Sequence, residues 1–164
     1  MLEIRPLMQI SAEDLARIAS GYTSDSQYAV GYHDAATHTA FELVLAKLAK
    51  LYVKVYDHFD AETVQRYAQI LESGYSFGAF DDDQLVGILI GEPQRWNHSV
   101  AVWEFHVAET HRHRGIGRRL MDAVVEQAKL TNVRIIVCET QNTNALAIQA
   151  YRKLGFRVEG VDIS

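Results

Sequence analysis

A basic segment containing two glycines joins a predicted strand to a predicted helix in the second half of the chain. Residues 111–120 read His-Arg-His-Arg-Gly-Ile-Gly-Arg-Arg-Leu and hold four arginines within eight positions. The first N–H groups of a helix lack intrahelical acceptors, and with the helix dipole they favour an anion. Gly115 and Gly117 let the backbone approach that anion, and arginine suits phosphate geometry. The segment therefore predicts a phosphate-binding turn.

Two other interpretations of this turn compete with phosphate binding, a solvated turn and a dinucleotide-binding turn. A solvated basic turn before an amphipathic helix explains the glycines alone, but not their position after a strand or the local reversal of charge. A dinucleotide-binding turn requires a third glycine, where this chain has Leu120. The phosphate interpretation is favoured over both.

The elements around this turn form a predicted βαβ unit, with strand 100–107, helix 116–130 and strand 134–140 in a right-handed crossover. In the absence of a bulge, alternation places two sets of side chains on opposite faces of the first strand: Trp103, Phe105 and Val107 on one, and Val102, Glu104 and His106 on the other. A helix over 144–154 ends at Gly155, and a last strand begins at 156–158.

Hairpins dominate the first half of the chain. Ser11 and Asp60 are predicted N-caps of two helices. A hairpin is predicted to turn near 34–39, with a helix over 41–56 as the alternative, and a second hairpin turns at Asp81–Asp83. Hairpins followed by alternating strands and helices predict a mixed sheet in an α/β or α+β fold.

Composition limits the class of protein further. The chain has 164 residues, is 48% hydrophobic and carries a net charge of −5, which fits one domain over 1–164 with a single core. The acidic balance argues against a nucleic-acid partner and is compatible with a cationic substrate. One cysteine, no signal peptide and no apolar run near ~20 residues predict a cytoplasmic protein without a membrane partner.

Two motifs at a consistent separation resemble the GNAT superfamily of acyl-CoA N-acyltransferases. The first is Arg112-His113-Arg114-Gly115-Ile116-Gly117, and the second consists of Asn144, Ala147, Tyr151, Gly155 and Phe156. The resemblance is strong over residues 75–163. Within the superfamily, residues 96–97, 139–144 and 160–162 resemble streptothricin acetyltransferases.

The resemblance implies a sheet splayed between strands 100–107 and 134–140, with helices on both faces. It also implies acetyl-CoA as co-substrate and no metal. The residues that it assigns to the cofactor are Phe105, His106, Val107, Arg112, His113, Arg114, Gly115, Ile116, Gly117, Arg118, Asn144, Ala147 and Tyr151.

Acetyl transfer to an amine needs a base, an oxyanion donor and an acid, because an aliphatic amine with a pKa near ~10 arrives protonated. The resemblance implies that Tyr151 is the acid and that a backbone N–H near Val107 is the oxyanion donor. Glu139 and Glu104 are both candidate bases, and partial burial is expected for Glu139. Either carboxylate could instead be a structural group satisfied by neighbouring hydrogen bonds.

Several remaining side chains are of types that can bind metals, react or line a substrate cleft, but their positions mostly indicate structural roles. His106, His111 and His113 lie on a strand and a basic turn. No carboxylate partner is expected beside them, so a zinc site is not expected. Cys138 lies in an apolar strand and is expected to pack there. Trp103 and Trp96 line the acceptor cleft in one interpretation and pack in the core in the other.

Three acceptor classes remain open at this point. They are a small cationic amine such as a streptothricin-like compound, a protein or peptide amine, and no acceptor in a silent acyl-CoA-binding module. The family's closing strand after Ser164 is absent from the sequence. An open edge beside strand 156–163 therefore predicts either a homodimer or a capping tail, with a longer chain more stable than this one.

Overall fold

The computed structural model describes residues 1–57 and 59–163, with seven strands and four α-helices in that part of the chain. Their bounds are β1 Leu2–Pro6, α1 Ala12–Ile18, β2 Gly21–Ala35, β3 His38–Val55, α2 Ala61–Leu71, β4 Phe77–Asp81, β5 Gln84–Gln94, β6 Ser99–Val107, α3 Ile116–Leu130, β7 Ile135–Cys138 and α4 Ala145–Lys153. These elements fall into two compact units, residues 1–20 with 56–139, and residues 21–55 with 140–163. The single domain expected over 1–164 stays a prediction.

The first unit contains a five-stranded sheet in the order β1-β4-β5-β6-β7. Only β6 and β7 are parallel, and α3 connects them, which confirms the predicted βαβ unit. Their pairing covers only Ser99–Val102 against Ile135–Cys138. β7 ends at Cys138, opposite Val102, so β6 extends beyond its parallel neighbour from Trp103 to Val107. The predicted mixed sheet is confirmed, and its splay stays a prediction.

Helices cover both faces of this sheet. Leu15 and Ile18 of α1 and Tyr67 of α2 pack in one core with Ile88 and Ile90 of β5. On the opposite face α3 lies so close to β5 that a side chain at Gly87 would meet the Ile116 side chain at 3.3 Å. The close approach fixes the start of α3 against the middle of the sheet.

Local capping chemistry explains where the first two helices begin. The Ser11 hydroxyl accepts a hydrogen bond from the Asp14 N–H, and the Asp60 carboxylate accepts one from the Thr63 N–H. Each bond satisfies a donor that the helix itself leaves without an acceptor. Both predicted N-caps are confirmed.

The second unit is built on a long hairpin of β2 and β3, whose two-residue turn joins Ala35 to His38. The predicted turn is confirmed, and the helix considered over 41–56 is wrong. Helix α4 packs on one face of the ribbon, where Ala145 and Ile148 contact Tyr28. The Tyr28 N–H donates to the Asn142 carbonyl at 2.9 Å, which ties the segment before α4 to the hairpin.

The strand predicted from 156 to 163 is wrong, since the described residues after α4 form no regular element. A strand needs a neighbouring strand to satisfy its N–H and C=O groups, and no described strand pairs with this segment. The homodimer expected from an open edge beside it therefore loses its basis. Among the described residues, no helix combines the length and hydropathy needed to cross a membrane.

Gly21 should be the least replaceable glycine of the second unit. Its φ is +120°, and a Cβ there would lie 2.0 Å from the Lys54 carbonyl oxygen. Gly21→Ala is expected to lower the free energy of unfolding by about 3 kcal/mol or more, because strain and a backbone clash add. Gly155→Ala is the control, since Gly155 also has positive φ but faces open space, and it should cost only about 1–2 kcal/mol. Equal losses in urea unfolding would contradict the clash.

Candidate active site

The turn before α3 has the backbone geometry of an anion site. Gly115 is the N-cap residue with φ +75°, and His113 also has positive φ, at +63°. The first helical hydrogen bond runs from the Arg119 N–H to the Gly115 carbonyl at 3.1 Å. The N–H groups of Ile116 and Gly117 precede that bond, so they have no acceptor within the helix.

The two glycines of the turn have different surroundings. A Cβ on Gly115 would meet open space, whereas one on Gly117 would lie 3.3 Å from the Phe105 ring of β6. Gly117 therefore allows the helix to pack closely on β6, a role that the sequence did not predict. Two arginines of the turn bind backbone carbonyls: Arg112 Nε donates to Val107 at 3.1 Å and Arg119 Nη2 to Leu2 at 3.3 Å. Arg114 is exposed.

The last residues of β6 present backbone groups along an edge that β7 does not reach. The Ala108 N–H donates to the Val86 carbonyl of β5 at 2.8 Å. Because successive residues of a strand direct their N–H groups to opposite sides, the Val107 N–H points away from β5. This edge lies beyond the end of β7, and it runs directly into the turn before α3.

A β-bulge changes the faces of β6. Ile90 pairs with Glu104 and Gly91 pairs with Val102, so Trp103 is an extra residue on β6. The prediction that Trp103 shares a face with Phe105 is wrong: Trp103 contacts Arg66 of α2, while Phe105 lies beside Gly117 of α3. Gly91 of β5 lies opposite the bulge, but β5 also contains Gly87, so the glycine alone did not identify the position.

Glu104 is a buried carboxylate held at both oxygens. The Tyr67 hydroxyl donates to Oε1 at 2.5 Å, and the His106 Nε2 lies 2.7 Å from Oε2. The Glu104 side chain is 7% exposed and that of His106 is 22% exposed. His106 thus has a carboxylate partner, contrary to the prediction, and it is the more accessible member of the pair.

The environment of the pair is aromatic. The Tyr56 ring meets the His106 ring edge-on, with 5.6 Å between centroids. Burial, and then the adjacent Glu104 carboxylate, raise the pKa of Tyr67 above its ordinary value of 10.0. Tyr67 is therefore a protonated donor at neutral pH, and it fixes the carboxylate in place.

Beside this pair, Trp103 carries charged neighbours. The Arg66 guanidinium carbon lies 4.0 Å above the indole ring, and the indole Nε1 donates to Glu92 Oε2 at 2.8 Å. Gln94 Nε2 donates to the same oxygen at 3.2 Å. Trp103 is 45% exposed, and Trp96 is more exposed still. Neither tryptophan packs in the core, which excludes one of the two predicted roles.

Other predicted residues of the first unit lie apart from this group. Glu139 follows β7 and is exposed, so the partial burial expected for it is not found. Cys138 is half-buried, and burial raises the pKa of its thiol to about 12, which keeps it protonated at neutral pH. His111 lies 3.5 Å from Asp81. No described group of three or more metal-ligating side chains could hold an ion.

In the second unit, the other predicted motif forms the two ends of α4. Asn144 Oδ1 accepts from the Ala147 N–H at 3.2 Å and caps the helix. At the far end the Gly155 N–H donates to Arg152 and the Phe156 N–H to Tyr151, which is a Schellman motif. The rings of Tyr151 and Phe156 meet edge-on at 5.6 Å. The Gly-Phe pair thus ends the helix and orients Tyr151.

Comparison with known proteins decides the family. The sequence profile of the Acetyltransferase (GNAT) family matches residues 42–156, which is more than half of the chain. This chain belongs to the GNAT family. The family assignment agrees with the mixed sheet, with its βαβ unit and with both motifs on which the resemblance rested.

Individual GNAT proteins share part of this chain. It is 36% identical over 81 residues to a streptothricin acetyltransferase of Streptomyces lavendulae and 33% identical over 92 residues to one of Escherichia coli. Those matches cover 49% and 56% of this chain, but only 43% and 52% of the two enzymes. The crystal structure of nourseothricin acetyltransferase is 28% identical, with a TM-score of 0.74 over 98% of this chain and 86% of that one.

Within this GNAT chain, the structure brings together some predicted residues and adds others. Glu104, His106 and Val107 follow one another on β6, directly before the turn with Arg112–Arg118. The sequence missed Tyr67, Glu92 and Arg66 as members of this group. Tyr67 lies on the buried face of α2, and nothing in the neighbouring sequence indicates what its hydroxyl contacts.

Loss of the Tyr67 hydroxyl should destabilise the protein through Glu104. Tyr67→Phe leaves a buried carboxylate oxygen without its donor, so we expect a loss of about 1–3 kcal/mol in the free energy of unfolding. Tyr75→Phe is the control, because Tyr75 donates only to the neutral Thr131 hydroxyl, and it should cost about 0.5–1.5 kcal/mol.

The stability difference between wild type and Tyr67→Phe should also depend on pH. Since the folded pKa of Tyr67 is raised, its contribution to stability is complete below pH 10.0 and is lost as the pH rises above that value. The difference between wild type and Tyr67→Phe in urea unfolding should therefore shrink above pH 10. A constant difference across that range would contradict the assigned bond.

Proposed function

We propose that this protein transfers the acetyl group of acetyl-CoA to an amine of a small cationic acceptor, with streptothricin-type compounds as the first candidates. The observation that carries the proposal is the end of β6. The edge of β6 beyond the end of β7, a buried carboxylate–imidazole pair and the N-terminus of α3 follow one another within residues 104–118. The edge suits the thioester arm of the cofactor, the carboxylate–imidazole pair suits proton removal from the amine, and the helix N-terminus suits the pyrophosphate.

The proposed cofactor site begins at that edge. The pantetheine arm pairs with the backbone of Phe105–Val107 in the manner of an added strand. The pyrophosphate lies on the N–H groups of Gly115–Arg118, with Arg112, His113 and Arg114 beside it. Asn144, Ala147 and Tyr151 are proposed as cofactor residues on the strength of the family motif alone.

The proposed base is the Glu104–His106 pair. When His106 Nε2–H donates to Glu104, its Nδ1 carries a lone pair and can take the proton of the incoming ammonium. Glu104 then stabilises the imidazolium that forms. Tyr67 keeps the carboxylate oriented, since its hydroxyl occupies the second oxygen. Glu139, exposed after β7, is the other candidate base.

The remaining steps need two further groups. The neutral amine attacks the thioester carbonyl, and the Val107 N–H stabilises the oxyanion of the tetrahedral intermediate. The carbon–sulfur bond then breaks, and Tyr151 donates its proton to the CoA thiolate. The attacking nitrogen releases its second proton to solvent, and the Tyr151 phenolate takes up a proton from solvent, which leaves a neutral amide and the CoA thiol. The family resemblance supports the role of Tyr151, and the Schellman motif supports a fixed orientation of its ring.

The acceptor class rests on charge and on relatives. The chain carries a net charge of −5, which favours cationic partners by long-range attraction. Two of its relatives, from Streptomyces lavendulae and Escherichia coli, are streptothricin acetyltransferases. Acetyl-CoA dependence supports a cytoplasmic location for the reaction.

The decisive test is a turnover screen. Purified protein is incubated with acetyl-CoA and a panel containing streptothricin, linear amines and peptides, and free thiol is measured. We expect release with small cationic amines and little with peptides. Release with none of the panel, while CoA binds, would contradict transferase activity and favour a silent binding module.

Base assignment is tested with matched carboxamide variants. Glu104→Gln keeps the shape of the side chain but cannot stabilise the imidazolium, so kcat/KM should fall about 10²-fold or more. Glu139→Gln should change kcat/KM less than about threefold, because the loss of a solvent-exposed charge has a small energetic effect. The reverse ranking would assign the base to Glu139.

The proton donor is tested at Tyr151. Tyr151→Phe keeps the ring contact with Phe156 but removes the proton, so kcat should fall about 10²–10⁴-fold while CoA affinity stays unchanged. Phe156→Leu is a control for the ring contact alone. A loss below threefold, with chemistry rate-limiting, would mean that another group protonates the thiolate.

A further inference from the structure

The group around Trp103 has the composition of a cation site. An indole face attracts cations through its quadrupole, and a carboxylate at the ring edge adds a full negative charge. Glu92 is fixed beside the ring by two donors, Trp103 Nε1 at 2.8 Å and Gln94 Nε2 at 3.2 Å. Arg66 occupies the ring face, 4.0 Å above its centroid. The site therefore already holds a cation, supplied by the chain itself.

The hold on Arg66 is weak enough for exchange. Its guanidinium lies 4.0 Å from Glu92 Oε2, at the outer limit of an ion pair, and its side chain is 50% exposed. Exposed ion pairs contribute little because water screens them. Trp103 is 45% exposed, so a cation from solution can reach the same ring.

The site adjoins the proposed base. The bulge turns Trp103 toward α2, the helix that also contacts Glu104. Consecutive residues of α2 serve the two positions, Arg66 on Trp103 and Tyr67 on Glu104. An acceptor whose reactive amine meets the Glu104–His106 pair thus passes close to Trp103 and Glu92.

We propose that Trp103 and Glu92 bind a second positive charge of the acceptor, an ammonium or guanidinium group, in the place that Arg66 holds in the free protein. This specificity site rests on the proposed transferase function. Arg66 acts as an internal competitor that an acceptor with two or more charges displaces. A singly charged amine uses only the Glu104–His106 pair and gains nothing at Trp103.

Kinetics with matched acceptors test the site. The readout is the kcat/KM for cadaverine divided by that for pentylamine, which has the same carbon chain and one charge. Glu92→Gln keeps an acceptor for the indole N–H but loses the charge, so the ratio should fall about three- to tenfold. Arg66→Gln removes the competitor, and the ratio should rise by a similar factor. Glu126→Gln, on the opposite face of the sheet, is the control and should leave the ratio unchanged.

Direct binding separates this site from the transferase function. The chain has two tryptophans, so Trp96→Phe leaves Trp103 as the sole indole fluorophore. Cadaverine should change its fluorescence saturably, about three- to tenfold more weakly when Glu92→Gln is added. Such binding without acetylation of any amine would overturn the proposed function and support the site. Two results would overturn the site. One is acetylation with the same cadaverine-to-pentylamine ratio of kcat/KM in Glu92→Gln, in Arg66→Gln and in wild type. The other is a fluorescence titration with cadaverine that Glu92→Gln does not change.

Discussion

Strand β6 extends past the end of its parallel neighbour β7, and the arrangement of the candidate site depends on that extension. Backbone N–H and C=O groups of a sheet require partners, and β7 supplies them only up to Cys138. From Glu104 to Val107 the strand keeps β5 on one side and presents its other edge. Because α3 begins soon afterwards, one short segment combines an extended edge with a helix N-terminus. A ligand with both an amide-bearing arm and a phosphate fits that combination.

The bulge at Trp103 also determines where the Glu104 carboxylate lies relative to α2. In a regular strand Trp103 and Glu104 would lie on opposite faces, and only one of them could meet α2. The extra residue brings both toward that helix, where Tyr67 satisfies the buried carboxylate and Arg66 covers the exposed ring. Burial of Glu104 is tolerated because each oxygen has a partner. The same local irregularity thus produces the buried carboxylate and the exposed indole on which the two proposals rest.

Features encoded by neighbouring residues were predictable from the sequence. Ser11 and Asp60 cap helices through bonds that span three residues, and the strand–turn–helix order around Gly115 identified the βαβ unit. Features that depend on a distant partner were not. The bulge depends on the register with β5, and the role of Tyr67 depends on Glu104, which is 37 positions away. The strand expected after Gly155 failed for the same reason, since alternation alone provides no partner strand.

We propose that the edge of β6 beyond the end of β7 holds the acetyl donor. The most direct measurement is a crystal structure of this protein with CoA bound. The account predicts pantetheine amides hydrogen-bonded along Phe105–Val107 and the pyrophosphate on the N–H groups of Ile116 and Gly117. CoA bound elsewhere, with that edge and turn unoccupied at saturating concentration, would contradict it.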